Sequence, residues 1–197
     1  VKEMAEATPR YAREFCGLAI DINNILESLT IPTIAAVGGF AFGGGCEMTL
    51  ACDFRVGGSR TTLSFPEVGL GITPGFGGTQ RLARLVGMGM AKQMLYAALN
   101  IDAQEALRIG LVNAVYPQAE LMENALKLAN KIARNAPIAV RACKQAVNEG
   151  MQVSIEEGVA IEEKLFGACF ETHDQVEGMA CFLSREKPKP KAVFTNN

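Results

Sequence analysis

The chain has 197 residues, of which 49% are hydrophobic and 20% are charged, so one domain with a sizeable core can form, with or without a small appendage. The formal net charge is -2 at pH 7 and no long run of basic residues occurs, which argues against a nucleic-acid partner. Glycine, proline or charge interrupts each apolar stretch before it reaches membrane-spanning length, and residues 1–20 lack a secretion-signal pattern. We therefore expect a globular protein with no membrane segment and no secretion.

The first predicted element is a helix that begins after Thr8. Thr8 can cap this helix, Pro9 suits its first turn, and apolar residues recur at helical spacing as far as Leu29. The run "TIAAVGG" is continuously apolar between proline and glycine, which predicts a strand buried on both faces. Further strands are predicted from "CDFRVGG" and "TTLSF", and a buried helix from "EMTLAC", starting near Gly44 or Gly45. Strands that alternate with helices favour an α/β core.

From Gly78 onward the sequence is mostly helical. Patterns typical of capping boxes predict three helix starts: Asp102-x-x-Glu105, Ser154-x-x-Glu157 and Thr172-x-x-Gln175. A further helix is predicted from Pro137, and one short strand from "GLVNAVYP". The tail "REKPKPKAVFTNN" is rich in proline and is predicted to be an arm.

Six cysteines are scattered singly through apolar segments, and the chain has one histidine, His173. Zinc sites combine cysteine and histidine at short spacings, so no metal site is expected. We expect buried free thiols in a reducing compartment, the cytoplasm or an organelle matrix. A thiol nucleophile, Cys46 with His173 as its base, is a second interpretation, although no residue that would orient the base can be named.

The stretch "FAFGGGCEMTL" places three glycines at the predicted start of the buried helix. The first N–H groups of a helix lack intrahelical acceptors and carry the positive end of its dipole. Because glycine lets a ligand oxygen approach the backbone, the N–H of Gly44 can stabilise an oxyanion that develops on a carbonyl. The alternative is a tight strand-to-helix turn with close packing.

Two glutamates near these glycines suggest acid–base chemistry. Glu47 lies in the first turn of the predicted helix, where an acid can also serve only as a cap. Glu67 lies in an apolar loop rich in glycine and proline, where its alternative role is to bond backbone N–H groups. A helix followed by a returning strand can bring both acids to one cavity, where desolvation and mutual repulsion raise their pKa values. One acid then holds a proton and the other accepts one.

Long segments of the chain resemble the enoyl-CoA hydratase/isomerase (crotonase) family: "IPTIAAVGGFAFGGGCEMTLACDFRV", "FPEVGLGITPGFGGTQRLARLVG", "AQEALRIGLVNAVYP" and "DQVEGMACFLSREKP". The resemblance implies an α/β, crotonase-like fold, with a spiral core of short strands and helices in residues 1–135. Residues 136–197 would form a helical oligomerisation region. The resemblance also implies a homotrimer, or two such trimers paired as a homohexamer.

The implied reaction is the reversible hydration of a trans-2-enoyl-CoA to a 3-hydroxyacyl-CoA, in fatty-acid or butyrate-type metabolism. By resemblance, the oxyanion donor falls on Gly44 and the two catalytic acids fall on Glu47 and Glu67. The resemblance assigns the substrate contacts to Gly43, Gly44, Pro66 and Gly75. The CoA thioester is the substrate, and no metal or redox cofactor is implied.

Two other functions stay open at this stage. An enoyl-CoA isomerase shares the fold but commonly lacks one of the acids, so the presence of both favours a hydratase. A non-catalytic subunit that binds CoA or serves assembly is the other. The family's domain has an upstream motif of the type "A-G-A-D-x-x-x-M" that supplies a second oxyanion N–H, and "VKEM" resembles the tail of that motif. We therefore expect the chain to correspond to the C-terminal portion of a crotonase domain. The residues Met88, Met90 and Met94 either line an acyl tunnel or fill the core.

Overall fold

The computed structural model describes residues 2–197, which contain nine α-helices and six β-strands. The helices are α1 (Pro9–Ser28), α2 (Gly44–Leu50), α3 (Gly78–Val86), α4 (Met88–Tyr96), α5 (Ala103–Arg108), α6 (Leu121–Ala133), α7 (Pro137–Gly150), α8 (Ile155–Cys169) and α9 (His173–Leu183). The strands are β1 (Ile34–Val37), β2 (Phe40–Phe42), β3 (Phe54–Gly58), β4 (Thr62–Ser64), β5 (Ile101–Asp102) and β6 (Ala114–Tyr116). Short 3₁₀ turns span Glu3–Glu6, Glu67–Leu70 and Gln118–Glu120. Strands alternate with helices up to β6 and only helices follow, which confirms the predicted α/β core and helical C-terminal region.

The strands form two three-stranded sheets. In one sheet β3 lies between β1 and β6, and all three strands run parallel. In the other, β4 pairs in parallel with β2 and antiparallel with β5. The strand predicted from "TIAAVGG" is β1, but only Val37 is buried and the other residues are half-buried. The prediction of burial on both faces was wrong, because β1 is an edge strand of its sheet and pairs only with β3 in the described residues.

The first compact unit comprises the residues up to Leu29 together with Thr33–Ala125. Its core is built from side chains of both sheets and of the helices that connect their strands, with Leu63, Phe65 and Leu82 fully buried. Met94 is also fully buried, whereas Met88 is 70% exposed. Core packing is thus the confirmed interpretation for Met94.

The second unit comprises Thr30–Pro32 and Leu126–Asn197. Within it α7 and α8 approach closely, since a Cβ atom added to Gly158 would lie 3.2 Å from the carbonyl oxygen of Gly150. The predicted capping box at the start of α8 is present, with reciprocal hydrogen bonds between Ser154 and Glu157. The assignment of residues 136–197 to oligomerisation, with a boundary after residue 135, stays a prediction.

The end of the chain is not the predicted arm. The carboxylate of Asp174, which is buried, accepts hydrogen bonds from the N–H groups of Thr195 at 2.7 Å and Asn196 at 3.1 Å. The prolines do prevent regular structure after α9, as predicted. They leave later N–H groups free to dock on the first turn of α9, where the helix dipole also favours an acid.

Cysteine burial was predicted correctly at one position. Cys46 is buried, Cys143 is exposed, and the remaining four cysteines are half-buried. The exposure of Cys143 follows from its place on α7, a helix without fully buried residues. Across residues 2–197, no helix combines the length and apolar character needed to cross a membrane. Over the same range, no cluster of three His, Cys, Asp or Glu side chains is arranged to hold a metal ion.

Candidate active site

The glycines that open α2 form the first wall of the site. Gly43 is the N-cap residue with φ 52° and ψ -125°, a conformation that favours glycine, and its N–H donates to the carbonyl of Ser64 at 2.9 Å. Gly44 is the first helical residue, so its N–H has no acceptor within the helix. A Cβ atom at Gly44 would lie 2.6 Å from the ring of Phe76. Backbone conformation at Gly43 and close packing at Gly44 therefore both require glycine.

Glu47 lies in the same helix with 1% of its surface exposed. Its Oε1 accepts hydrogen bonds from the N–H of Phe76 at 2.8 Å and the N–H of Gly78 at 2.7 Å. Gly78 is the first residue of α3, whose N-cap is Gly77 and thus has no side chain to accept from the helix. The carboxylate of Glu47 therefore caps α3 from another helix, and the dipole of α3 favours its ionised form.

Opposing influences act on the pKa of Glu47. Burial raises this pKa above its ordinary value, while the hydrogen bonds from Gly78 and Phe76 and the positive charge of Arg81 lower it. The guanidinium of Arg81 is held in place by the carboxylate of Glu27 on α1, at 2.6 Å. The ionised form of Glu47 thus has three local stabilising groups despite its burial.

Glu67 opens the 3₁₀ turn that follows β4, directly after Pro66. Its side chain is 8% exposed, and among residues 2–197 its buried Oε2 finds no hydrogen-bond partner. Its Oε1 lies against Gly43, where an added Cβ atom would be 2.8 Å away. Burial raises the pKa of Glu67, a hydrogen bond from its own backbone N–H lowers it, and the negative charge of Glu47 raises it; the net shift is upward. An ionised carboxylate with a buried, unpaired oxygen is costly, so the protonated form of Glu67 is favoured.

A cavity of about 300 Å³ opens beside Gly44. Its walls come from α1, from α2 and from the loop before α3, and the lining residues are Ala19, Ile22, Asn23, Gly44, Gly45, Met48 and Phe76. Most of these residues present apolar groups. Such a cavity beside a free N–H suits a ligand in which an apolar chain is attached to a carbonyl group.

The structure places the predicted site residues in one region of the first unit. Gly43 lies against Glu67, Gly44 lies against Phe76, and the pKa of Glu67 responds to the charge of Glu47. Gly75 directly precedes Phe76, and its carbonyl accepts a hydrogen bond from the thiol of Cys16. The contacts of Gly43, Gly44, Pro66 and Gly75 with substrate stay predictions.

The sequence reasoning missed the two N–H donors to Glu47. The available signal was the start of α3, where "GFGGTQ" places two glycines at the helix start and the N-cap, Gly77, has no side chain. A helix start without its own cap requires an acceptor from elsewhere. The sequence alone does not say which acid provides it.

Cys46 is not a nucleophile. It is fully buried, and burial together with the negative charge of Glu47 raises its pKa to about 12. Since the thiolate and not the thiol attacks, such a cysteine is inert near neutral pH. The interpretation that paired Cys46 with His173 is therefore wrong.

The family model described as Enoyl-CoA hydratase/isomerase matches residues 1–192. The chain belongs to the enoyl-CoA hydratase/isomerase family. The resemblance seen in the sequence is confirmed.

Individual members of this family are similar over most of the chain. It is 54% identical to the short-chain-enoyl-CoA hydratase of Clostridium acetobutylicum over 187 residues, 95% of this chain and 72% of that protein. It is also 54% identical to the crotonyl-CoA hydratase of Syntrophomonas wolfei over 176 residues, 89% of this chain and 68% of that protein. The crystal structure of an enoyl-CoA hydratase from Bacillus anthracis matches with a TM-score of 0.94 and 40% identity, covering 100% of this chain and 75% of that chain. The predicted crotonase-like fold is thus confirmed.

Proposed function

We propose that the protein catalyses the reversible addition of water to a trans-2-enoyl-CoA, giving a 3-hydroxyacyl-CoA. The observation that carries this proposal is the pair of buried glutamates beside the bare N-terminus of α2. The names of the similar proteins, a short-chain-enoyl-CoA hydratase and a crotonyl-CoA hydratase, support the same reaction. In this proposal the apolar cavity beside Gly44 receives the acyl chain.

Gly44 acts on the thioester carbonyl. When water adds to C3, negative charge moves through C2 onto the thioester oxygen, and the N–H of Gly44 donates a hydrogen bond to it. A donor of this kind contributes roughly 2.7 to 4 kcal/mol to the transition state. The positive end of the α2 dipole acts in the same direction.

Glu47 is the general base. The two backbone donors hold its Oε1 and stabilise its negative charge, which leaves Oε2 to orient the attacking water. The water oxygen bonds to C3 while one of its protons passes to Glu47. Proton transfer to a positioned group of this kind contributes roughly 10² to 10⁴ in rate.

Glu67 is the general acid in the hydration direction. Its protonated form is favoured by burial, by the unpaired Oε2 and by the charge of Glu47. It gives its proton to C2 as the enolate collapses, and in the dehydration direction it takes that proton back. The proton that Glu47 took from water then passes to Glu67, directly or through solvent, which restores both acids. The net change is the addition of one water across the C2–C3 double bond, with no electron transfer to or from the protein. We therefore propose that no metal or redox cofactor takes part.

The decisive experiment follows the loss of enoyl absorbance with crotonyl-CoA. The purified protein should hydrate crotonyl-CoA, the control Glu120→Gln at an exposed acid should do so equally well, and a variant with both Glu47→Gln and Glu67→Gln should be inactive. Absence of turnover in the wild-type protein would refute the hydratase and leave a CoA-binding role. Conversion of a 3-enoyl-CoA without hydration would instead indicate an isomerase.

We also propose that the chain forms a homotrimer or a homohexamer and works in the cytoplasm or an organelle matrix. Large apolar side chains are exposed on the second unit, among them Ile155 and Phe166 on α8 and Phe182 on α9. Exposed apolar surface of this kind is typical of an interface with another chain. Light scattering at micromolar concentration should show the oligomer, and a persistent monomer would contradict it.

A further inference from the structure

We infer that two side chains of α1, Asn23 and Cys16, are positioning residues that fix the backbone donors of Glu47. Of the α1 residues Pro9–Ser28, only Asn23 is buried, with 2% of its surface exposed. A buried amide is costly unless it is hydrogen-bonded, and the Nδ2 of Asn23 donates to the carbonyl of Phe76 at 2.9 Å. The other residues of α1 are exposed or half-buried, so the burial of Asn23 is tied to one peptide group of the loop before α3.

Three consecutive peptide groups of that loop alternate between the acid and α1. The peptide between Gly75 and Phe76 donates its N–H to Glu47, and its carbonyl accepts from the thiol of Cys16. In the next peptide, the carbonyl of Phe76 accepts from Asn23. The peptide between Gly77 and Gly78 then provides the second N–H donor to Glu47. The first donor peptide therefore contains the carbonyl that Cys16 contacts. Both donor peptides adjoin the peptide whose carbonyl accepts from Asn23.

This loop needs external support because it is rich in glycine. Gly77 has φ 94°, and glycine gives a chain more conformational freedom than any other residue. Without the α1 hydrogen bonds, small rotations of the three peptides would turn the N–H groups away from Oε1. A displacement of about 1 Å in an active site can cost roughly 10²-fold in rate.

Other charged and titratable groups also lie near Glu47, and the test variants must leave them unchanged. Arg81 lowers the pKa of Glu47 and donates weakly to the Phe76 carbonyl at 3.4 Å, while Glu27 holds Arg81. Glu67 and Cys46 are the other titratable neighbours, since each has its own pKa raised by Glu47. None of these groups is changed when Asn23 or Cys16 is substituted.

The test uses substitutions that remove or keep the donor. Asn23→Leu and Cys16→Ala remove it, Cys16→Ser keeps a donor at the same position, and Asn124→Leu removes an exposed amide that bonds the Glu120 carbonyl at 3.0 Å. Hydrogen exchange measured by mass spectrometry on the segment that includes Phe76 and Gly78 should accelerate in Asn23→Leu and Cys16→Ala. It should stay at the wild-type rate in Cys16→Ser and Asn124→Leu. This readout does not depend on catalysis.

The kinetic readout rests on the proposed function. Asn23→Leu and Cys16→Ala should lower kcat by roughly tenfold to a hundredfold, and Cys16→Ala, which does not line the cavity, should leave KM within about twofold. Loss of N–H donation raises the pKa of Glu47, so the acidic limb of the rate profile should move to higher pH. Cys16→Ser should restore the wild-type profile.

The possible outcomes distinguish the positioning role of Asn23 and Cys16 from the proposed catalytic role of Glu47. Wild-type hydrogen exchange and an unshifted acidic limb in variants that fold with a normal melting temperature would overturn the role of Asn23 and Cys16. If Glu47→Gln retained full hydration activity, the proposed role of Glu47 would fail instead, and the exchange data would still report whether α1 positions the loop.

Discussion

The two buried acids are held in different ways by the two segments that carry them. Glu47 lies within a helix, and two backbone N–H groups meet its Oε1. Glu67 lies in a 3₁₀ turn, and its Oε2 is buried without a partner in residues 2–197. Burial raises the pKa of both groups, so burial does not distinguish them. The difference in hydrogen-bond donors does, because it makes ionisation less costly at Glu47 than at Glu67.

The largest expected effect comes from exchanging either acid for its amide. Glu47→Gln and Glu67→Gln should each lower kcat by about 10² to 10⁴ while changing KM far less, because each acid acts mainly in the transition state. The comparison predicts different pH profiles for hydration. Glu47→Gln should lose the acidic limb of kcat/KM, and Glu67→Gln should lose the basic limb. Near wild-type turnover in one variant would remove that residue from the mechanism.

The next effect comes from two glycines, each of which lies against one acid. A Cβ atom at Gly78 would lie 2.7 Å from Oε1 of Glu47, and one at Gly43 would lie 2.8 Å from Oε1 of Glu67. Gly78→Ala should therefore displace Glu47 and shift the acidic limb, at a stability cost of about 1–3 kcal/mol from overpacking. Gly43→Ala should shift the basic limb and also carry strain of order 1–3 kcal/mol, since φ at Gly43 is 52°.

Gly89→Ala is the matched control for these glycine variants. An added Cβ atom there meets nothing within 4 Å, and the residue lies inside α4. It should keep wild-type rates and gain roughly 0.5–1 kcal/mol of stability, because alanine favours helix. Thermal unfolding and pH–rate curves measured on all three variants check the prediction. Identical limb shifts in Gly78→Ala and Gly43→Ala would show that the two glycines do not act on separate acids.

A smaller effect should appear in the pH dependence of stability. The folded-state pKa of Glu67 lies above its ordinary value of 4.5. The stability linked to this group is therefore fully present below that value and is lost as pH rises through the raised pKa. Glu67→Gln removes the titration, so the melting temperature of the variant relative to wild type should increase as the pH rises above 4.5. Glu47→Gln should gain less, because it also loses two charge-assisted hydrogen bonds. Equal gains would contradict the assigned difference.

Much of this site was predictable because its parts are local in sequence. The helix start at Gly44 and the acid at Glu47 follow from glycines that run directly into an apolar helix. Helix α1 was predicted in the same way, because Thr8 and Pro9 mark its start. The side chain of Thr8 caps the helix as expected, by accepting a hydrogen bond from the N–H of Tyr11. Glu67 was proposed from its place in an apolar loop, and the family resemblance pointed to the same two acids.

What could not be predicted depends on contacts between distant segments. The amide of Asn23 reaches Phe76 across 53 positions of sequence, and Phe76 reaches Glu47 across 29. Backbone donors leave no mark in the identity of the residue that carries them, so no pattern points to Phe76. The short strands β2 and β5 were missed for a related reason. They span 3 and 2 residues, too few to show a period, and only their pairing with β4 defines them.

The smallest expected effect concerns Cys46, whose pKa Glu47 influences. Burial is the main cause of its pKa of about 12, and the charge of Glu47 adds to it. Iodoacetamide near pH 8 should therefore alkylate the exposed Cys143 in the native protein and leave Cys46 unmodified, as peptide mass spectrometry would show. Glu47→Gln removes a charge and lowers the thiol pKa but leaves the burial, and Glu67→Gln replaces an acid whose protonated form is favoured, so Cys46 should stay unmodified in both variants. Labelling of Cys46 in a folded variant would mean that the substituted glutamate also shields the thiol from the reagent. An unmodified Cys46 in the folded Glu47→Gln variant would show that burial alone is sufficient to keep this thiol inert.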